Sequence, residues 1–380
     1  MKKRILFIVG TRPEAIKLGP LYIKARGSEW TEPFLLATGQ HTDMLALHLS
    51  ELGISPDAQL FIDRKGNGGG GDKAARNKVA DADVHSRPPE NSSSLCGIGA
   101  QLIEKIGNFI ENHRPDCVIV QGDTSSAFFG ALAAFYAGVP CVHIEAGLRS
   151  HDPRSPFPEE MHRKMIATLS DIHIAPSEIA RQNLLSEGVG DKTFVLGNTV
   201  TDALALTISD KYQNKLTEKE FILVTAHRRE SGERELSEML GAVRRFAKRH
   251  SDMSVIFPVH PSKRVRLAVE KHLKNTEGVI LTPPLSLYDF HNLEYRARFV
   301  LSDSGGVQEE CSAMGVPVIV MRENTEREAE LLGGKIILVG RDPERILSEC
   351  EKILSRPRAD RIIPKTSVCE KILATLRREL

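Results

Sequence analysis

Residues 116–147 read DCVIVQGDTSSAFFGALAAFYAGVPCVHIEAG. Two short apolar runs, CVIV and CVHI, flank a longer stretch, SSAFFGALAAFY, that reads as a helix between turn residues. Both short runs are apolar throughout instead of alternating, which marks strands buried on both faces. Strand, crossover helix and strand in succession give a parallel pair. The unit recurs. Upstream lie RILFIVG and FLLATG, with the helical pattern AIKLGPLYIKAR between them, and downstream lie DIHIAPS and TFVLGN. After GNTVTDALALTISDKYQNKLTEKE the series restarts as FILVTAH, SVIFPVH, GVILTPP, FVLSDSGG, PVIVMRE and KIILVG. Two such series, with a polar joint near 200–220, predict an α/β protein of two doubly wound, Rossmann-like domains, residues 1–200 and 201–360. Ligands of open α/β sheets bind beyond the carboxyl ends of the strands, so the two domains should face each other across a cleft. Residues 361–380 hold an amphipathic helix, CEKILATLRREL.

Composition narrows the function. The chain has 380 residues, 41% hydrophobic and 27% charged, enough for two to three domains. A formal net charge of +1 gives no overall field for nucleic acid or an anionic membrane. The six cysteines show no CxxC spacing, and Cys117 and Cys141 sit in apolar runs as small buried hydrophobes. No set of residues calls for a metal or an organic cofactor. MKKRILFIVG reaches a glycine turn after one short apolar run, too short for a signal peptide, and no stretch reaches ~18 apolar residues. A cytoplasmic, reduced location is expected. Residues 64–94, RKGNGGGGDKAARNKVADADVHSRPPENSSS, hold almost no large apolar side chain and read as a mobile surface insertion.

Polar groups gather where strands end. GTRPEAIK puts Arg12 and Lys17 at a helix N-terminus, either an ordinary turn with a solvated arginine or an anion site. Asp123 follows a strand and precedes a helix, as an N-cap does. Glu145 ends the next strand, where no cap is required. Glu159 and Arg163 are four residues apart, the spacing of a surface ion pair on a helix. His227 and Arg228 end the first strand of the second series, and His260 ends the next. Ser304, Gly305 and Gly306 link a strand to a helix whose free N–H groups suit a diphosphate, with Glu309 or Glu310 one turn on for ribose hydroxyls. Together they predict a phosphorylated, nucleotide-linked ligand between the domains.

The motifs GTRPEAIK, TGQH, GDTSS, HIEAGLRS, SPFPEE, GNTVTDAL, TAHRRE, PVHP, DFHNL and SDSGGVQEE occur in the order found in the non-hydrolysing UDP-N-acetylglucosamine 2-epimerases. The chain resembles that family over roughly residues 4–345. The resemblance implies a GT-B-like fold, with residues 361–380 packing back on the first domain. It implies reversible C2 epimerisation of UDP-GlcNAc and UDP-ManNAc, by elimination of UDP to 2-acetamidoglucal and re-addition, without a cofactor. A homodimer serving a cell-surface polysaccharide or an aminosugar product is implied too. Carried over, Asp123, Glu145, Glu159 and His227 match the catalytic set. Arg12, Lys17, Arg163, Phe290, Ser304, Gly305, Gly306 and Glu310 match the substrate contacts. Gln40, Asp43, Gln101, Arg228 and His260 fall where relatives place a regulatory UDP-N-acetylglucosamine site. This chain departs there: Gln101 replaces an arginine and Asp43 a Glu or Gln, so weak or absent activation is expected. His162 replaces an asparagine, Glu328 and Ala329 stand where the family has Pro-Glu, and residues 64–94 are long for the family. The alternatives are an epimerase of a differently substituted UDP-hexosamine and a non-catalytic nucleotide-sugar binding module.

Overall fold

The structure, a computed structural model of the chain, describes residues 2–39, 42–62, 94–226, 233–323, 325–327, 331, 332, 334, 336–365 and 367–380, with only the backbone for 42–44. The expected insertion therefore lies outside the described residues except for Ser94, whose hydroxyl accepts from Gly97 N at 3.0 Å and caps the next helix.

Two all-parallel sheets form. The first takes β1 (Lys3–Val9), β2 (Thr31–Ala37), β3 (Ala58–Gln59), β4 (Cys117–Gln121), β5 (Cys141–Ile144), β6 (Ile172–Ala175) and β7 (Thr193–Val195) in the order β3-β2-β1-β4-β5-β6-β7. The second takes β8 (Phe221–Thr225), β9 (Ser254–Pro258), β10 (Val279–Thr282), β11 (Val300–Ser302), β12 (Val318–Val320) and β13 (Ile336–Leu338) in the order β10-β9-β8-β11-β12-β13. The strands are parallel because each returns through a helix. They are mostly apolar because helices cover both faces. In the first domain α1 (Arg12–Arg26) and α2 (Thr42–Glu51) pack on one face, and α3 (Leu95–His113), α4 (Ser125–Tyr136) and α5 (Glu159–Leu169) on the other. α6 (Glu178–Ser186) leads from β6 to β7. In the second domain α7 (Val200–Thr207), α10 (Leu287–Arg296) and α11 (Gly305–Met314) cover one face. α8 (Glu233–Arg249), α9 (Lys263–Leu273) and α12 (Pro343–Leu354) cover the other. The last helix, α13 (Val368–Glu379), buries Ile372 and Leu376 in the core of the first sheet, beside α1. Asp202 anchors its start, accepting from Val368 N at 2.9 Å and Ser367 Oγ at 3.2 Å.

Strand order reverses between β1 and β4 in the first sheet and between β8 and β11 in the second. At such switch points the loops part and leave a crevice. The turn after β1 is tied to the turn after β4 through Glu14. Its carboxylate accepts from Gly10 N at 2.9 Å, Thr11 N at 2.6 Å and Thr124 Oγ1 at 2.6 Å. Among the described residues no helix is long and apolar enough to cross a membrane.

Three histidines of the first domain are buried and neutral. Burial pushes His143 down to about 3, and His48 and His173 down to about 4. Their unfolded values lie near 6.5, so unfolding takes up protons. The stability they contribute is complete above ~6.5 and is lost as pH falls towards 4 and below. Urea midpoints at pH 7.5, 5.5 and 4.5 should fall in that order, by up to ~1.4 kcal/mol per pH unit for each histidine. Glu14, raised to about 7 by burial, acts in the opposite sense between ~4.5 and 7, so the histidine contribution is read in Glu14→Gln, where a flat profile would show that these rings are solvated.

Candidate active site

The polar groups singled out above converge where the two switch points meet. The first domain supplies the turn after β1 with Arg12 and Lys17, the end of β4 with Asp123, the end of β5 with Glu145, and the first turns of α5. Gly122 and Glu145 both have positive φ, 69° and 67°, which turn the chain sharply as it leaves the sheet. Glycine adopts that conformation freely, whereas for glutamate it is strained, and such strain concentrates at functional sites. The second domain supplies Phe290 from α10, the start of α11, and Glu326 and Arg327 beyond β12.

Ion pairs bind these groups into one network. Lys17, only 4% exposed, pairs with Glu145 on its own domain and with Glu309 of α11 across the cleft at 2.5 Å. Arg327 pairs with Glu309 at 3.1 Å and with Glu326. Arg163 pairs with Asp123, with Glu160 at 3.0 Å and with Glu326 across the cleft at 3.6 Å. Arg322 holds Glu326 from behind at 3.0 Å. Asn198 Nδ2 donates to Glu145 at 3.4 Å. The Arg12 guanidinium lies over the Phe290 ring, 5.3 Å from its centre, again linking the domains. A side chain at Gly305 would strike the Arg327 guanidinium at 2.8 Å, so glycine there lets this cation approach the start of α11. Among the described residues no side chain caps that helix at Ser304, which leaves its first N–H groups open to an anion.

Electrostatics distinguish the groups. Burial and the nearby Glu309 push Glu145 above the usual carboxylate range, and Lys17 only partly offsets them. Burial pulls Lys17 down, but Glu145 and Glu309 outweigh it and hold the ammonium charged. Burial acts in the same sense on Arg327, and its carboxylate neighbours again outweigh it.

Of the candidates from sequence, Arg12, Lys17, Asp123, Glu145, Arg163, Phe290, Ser304, Gly305, Gly306 and Glu310 lie around this cleft. Glu159 opens α5, half-buried. Arg163 takes Glu160, three residues earlier, as its helix partner instead of Glu159. His227, Arg228 and Gln40 lie outside the described residues, as does the side chain of Asp43. Gln101 Nε2 donates to Gly97 O of its own helix at 3.3 Å, and His260 Nδ1 accepts from Ser262 N at 3.2 Å in the turn after β9. Sequence reasoning left out Asn198, Glu326 and Arg327, took Glu159 over Glu160, and read Glu309 for ribose, not for Lys17. PVIVMRE ended in charge as other strands did, and that signal could have pointed to Glu326 and Arg327.

His162 has a positioning contact of its own. Its Nδ1 lies 2.9 Å from the Asp123 carbonyl oxygen, and its ring stacks on Phe128 at 5.0 Å. A carbonyl only accepts, so Nδ1 carries the hydrogen. Burial keeps the ring neutral by lowering its pKa. Asparagine offers a similar donor. His162→Asn should therefore keep turnover within about threefold, and His162→Leu should lose about fivefold, the value of one ordinary hydrogen bond. Equal activity in both variants would show that this bond does not hold Asp123.

Two parallel, doubly wound domains meeting at their switch points over a charged cleft define the GT-B class of nucleotide-sugar proteins. Acinetobacter baumannii MurG, 11% identical with a TM-score of 0.54 over the whole of both chains, shows the same fold. The chain belongs to the UDP-N-acetylglucosamine 2-epimerase family of isomerases, whose family model matches residues 78–376. A Bacillus subtilis UDP-N-acetylglucosamine 2-epimerase is 36% identical, covering 94% of this chain and 89% of the relative. The Neisseria meningitidis UDP-GlcNAc 2-epimerase, solved with UDP-GlcNAc bound, is 32% identical over 100% of both chains, with a TM-score of 0.84. MnaA of S. aureus, solved with UDP, is 33% identical over 99% of this chain and 96% of its own, with a TM-score of 0.84.

Proposed function

We propose that the protein interconverts UDP-GlcNAc and UDP-ManNAc by eliminating and re-adding UDP. The reading is carried by Glu145 and Asp123 at adjacent strand ends, each paired with a cation, opposite the open start of α11. Carbon 2 of the sugar is not next to a carbonyl, so its proton is not acidic enough for simple exchange. Elimination avoids that barrier. A base takes the C2 proton, the C–H electrons form the C1=C2 bond, and the C1–O bond breaks to release UDP. UDP then adds back to C1 as a proton reaches C2 from the other face. Such a path needs acid and base groups around C2 and cations on the departing diphosphate. Asp123, Glu145, Glu159 and His227 are the acid and base candidates. Arg12, Lys17, Arg163 and Arg327, with the start of α11, are the candidates for the diphosphate, and Phe290 and Glu310 for uridine. A homodimer belongs to the same reading, supported by Phe135 and Tyr136 exposed at the end of α4, and light scattering of the purified protein tests it.

The deciding experiment is incubation with UDP-GlcNAc in deuterated water, followed by NMR of the sugar. Deuterium should enter at C2 as UDP-ManNAc accumulates. Binding without exchange would make the protein a nucleotide-sugar binding module. Exchange only with another UDP-hexosamine would reassign the substrate.

A further inference from the structure

On the nucleoside side of the cleft, two buried carboxyl groups face each other beside a histidine. α10 presents His291 and Glu294 and α11 presents Glu310. All three are buried, the first two fully, and their polar atoms lie within 4.8 Å of one another. Thr207 Oγ1 donates its hydrogen to Ala203 O at 2.9 Å and stands 2.6 Å from His291 Nδ1. His291 Nε2 lies 3.7 Å from Glu310 Oε1. Among the described residues, neither Nε2 nor either oxygen of Glu294 has a hydrogen-bond partner. Two buried carboxyl groups converging in this way are costly unless something positive sits between them.

Charge selects what that is. Among the described residues, Arg12 is the cation whose field reaches both carboxylates. Two carboxylates against one guanidinium leave one negative charge. A single proton cancels it, whereas a divalent ion would leave an excess of positive charge in a buried place. We propose that Glu294 is a positioning residue for nucleotide binding. It keeps a proton and donates it to Glu310, fixing the Glu310 carboxylate to receive the ribose hydroxyls of the uridine nucleotide. This rests on the reading that Glu310 faces the nucleoside. Burial and the charge of Glu310 push Glu294 well above the usual carboxylate range. Burial works against an ionised Glu310, but His291 and Arg12 outweigh it and place Glu310 below that range. Among the described residues, the other ionisable groups around the pair are Cys311 on α11 and His48 and Glu51 on α2, while α7 contributes the neutral Thr207.

The sign follows. Below its raised pKa Glu294 holds the proton. As pH rises through that value both carboxylates are charged, Glu310 loses its donor, and nucleotide binding weakens. The test titrates UDP into the wild type, Glu294→Gln and Glu294→Leu by calorimetry between pH 6.5 and 9.5, with kcat and KM measured in parallel. The wild type should bind UDP more weakly at the alkaline end. Glu294→Gln keeps a donor that does not titrate, so it should bind within about threefold of wild type near pH 7 and lose the alkaline weakening. Glu294→Leu should bind about tenfold more weakly, with the loss appearing in KM more than in kcat. Equal affinity in the Gln and Leu variants overturns the proposal. So does alkaline weakening that survives in Glu294→Gln, or a stoichiometric metal ion whose removal abolishes UDP binding. If Glu294→Leu does not fold, the pH profile of Glu294→Gln still decides. A wild type that binds no UDP at any pH would refute the nucleoside reading itself, a result distinct from the others.

Discussion

Glu145→Gln is expected to lower turnover by at least ~100-fold while UDP still binds, because a positioned acid or base typically contributes 10²–10⁴ to the rate. The substitution preserves shape, and Lys17 keeps its second partner, Glu309, so the cleft should stay assembled. What disappears is a carboxyl held above its usual range at the end of β5 by burial and by Glu309, a group suited to exchanging a proton with carbon. Asp123→Asn should behave alike. Steady-state kinetics with both epimers, alongside UDP calorimetry, separates lost chemistry from lost binding. Near-wild-type turnover in either variant would remove that residue from the mechanism.

Arg163→Met should cost both stability and activity. The guanidinium is 4% exposed and contacts three carboxylates, Asp123, Glu160 and Glu326. Glu160 is fully buried and accepts from Ser150 N at 2.9 Å, so it cannot turn to solvent without unfastening the loop before α5. Removing one partner from a buried ion pair typically costs about 3–5 kcal/mol. Asp123 would also lose the cation that places it. Arg163→Lys should rescue little, because one ammonium lacks the planar fork that reaches several carboxylates at once. Urea unfolding measures the first effect and kcat the second. A loss under ~1 kcal/mol in Arg163→Met would show that the acids adjust by taking up protons.

The fold was legible because burial on both faces writes itself locally: runs such as CVIV and FILVT need no neighbour to be recognised as interior strands. β3 escaped because Ala58–Gln59 is only two residues pairing with the edge of β2. Lys17, Asp123, Glu145 and Ser304 were legible because they follow strands, and strand ends build the cleft. Glu326 and Arg327 were not, since the partners that bring them to the cleft, Arg163 and Glu309, lie more distant in sequence, and Glu160 was passed over for its neighbour Glu159. Nothing within the run of residues around Glu309 announces that its carboxylate meets Lys17 from the other domain. The same holds for Glu294, which occupies an ordinary helical position until α11 brings Glu310 beside it.

The ion pairs that cross the cleft also govern how the ligand arrives. Lys17, Arg163 and Arg327 already have carboxylates against them, two of these, Glu309 and Glu326, contributed by the second domain. With these cations holding the diphosphate as proposed, an incoming ligand would exchange one set of negative partners for another instead of meeting naked positive charge. Little field projects into solvent from cations matched in this way, so long-range steering of the dianion is weak. Encounter rates should then vary little with ionic strength, and added sulfate or phosphate should compete poorly. Selection falls to geometry at close range, where a nucleotide must part Lys17 from Glu309 before it can be held.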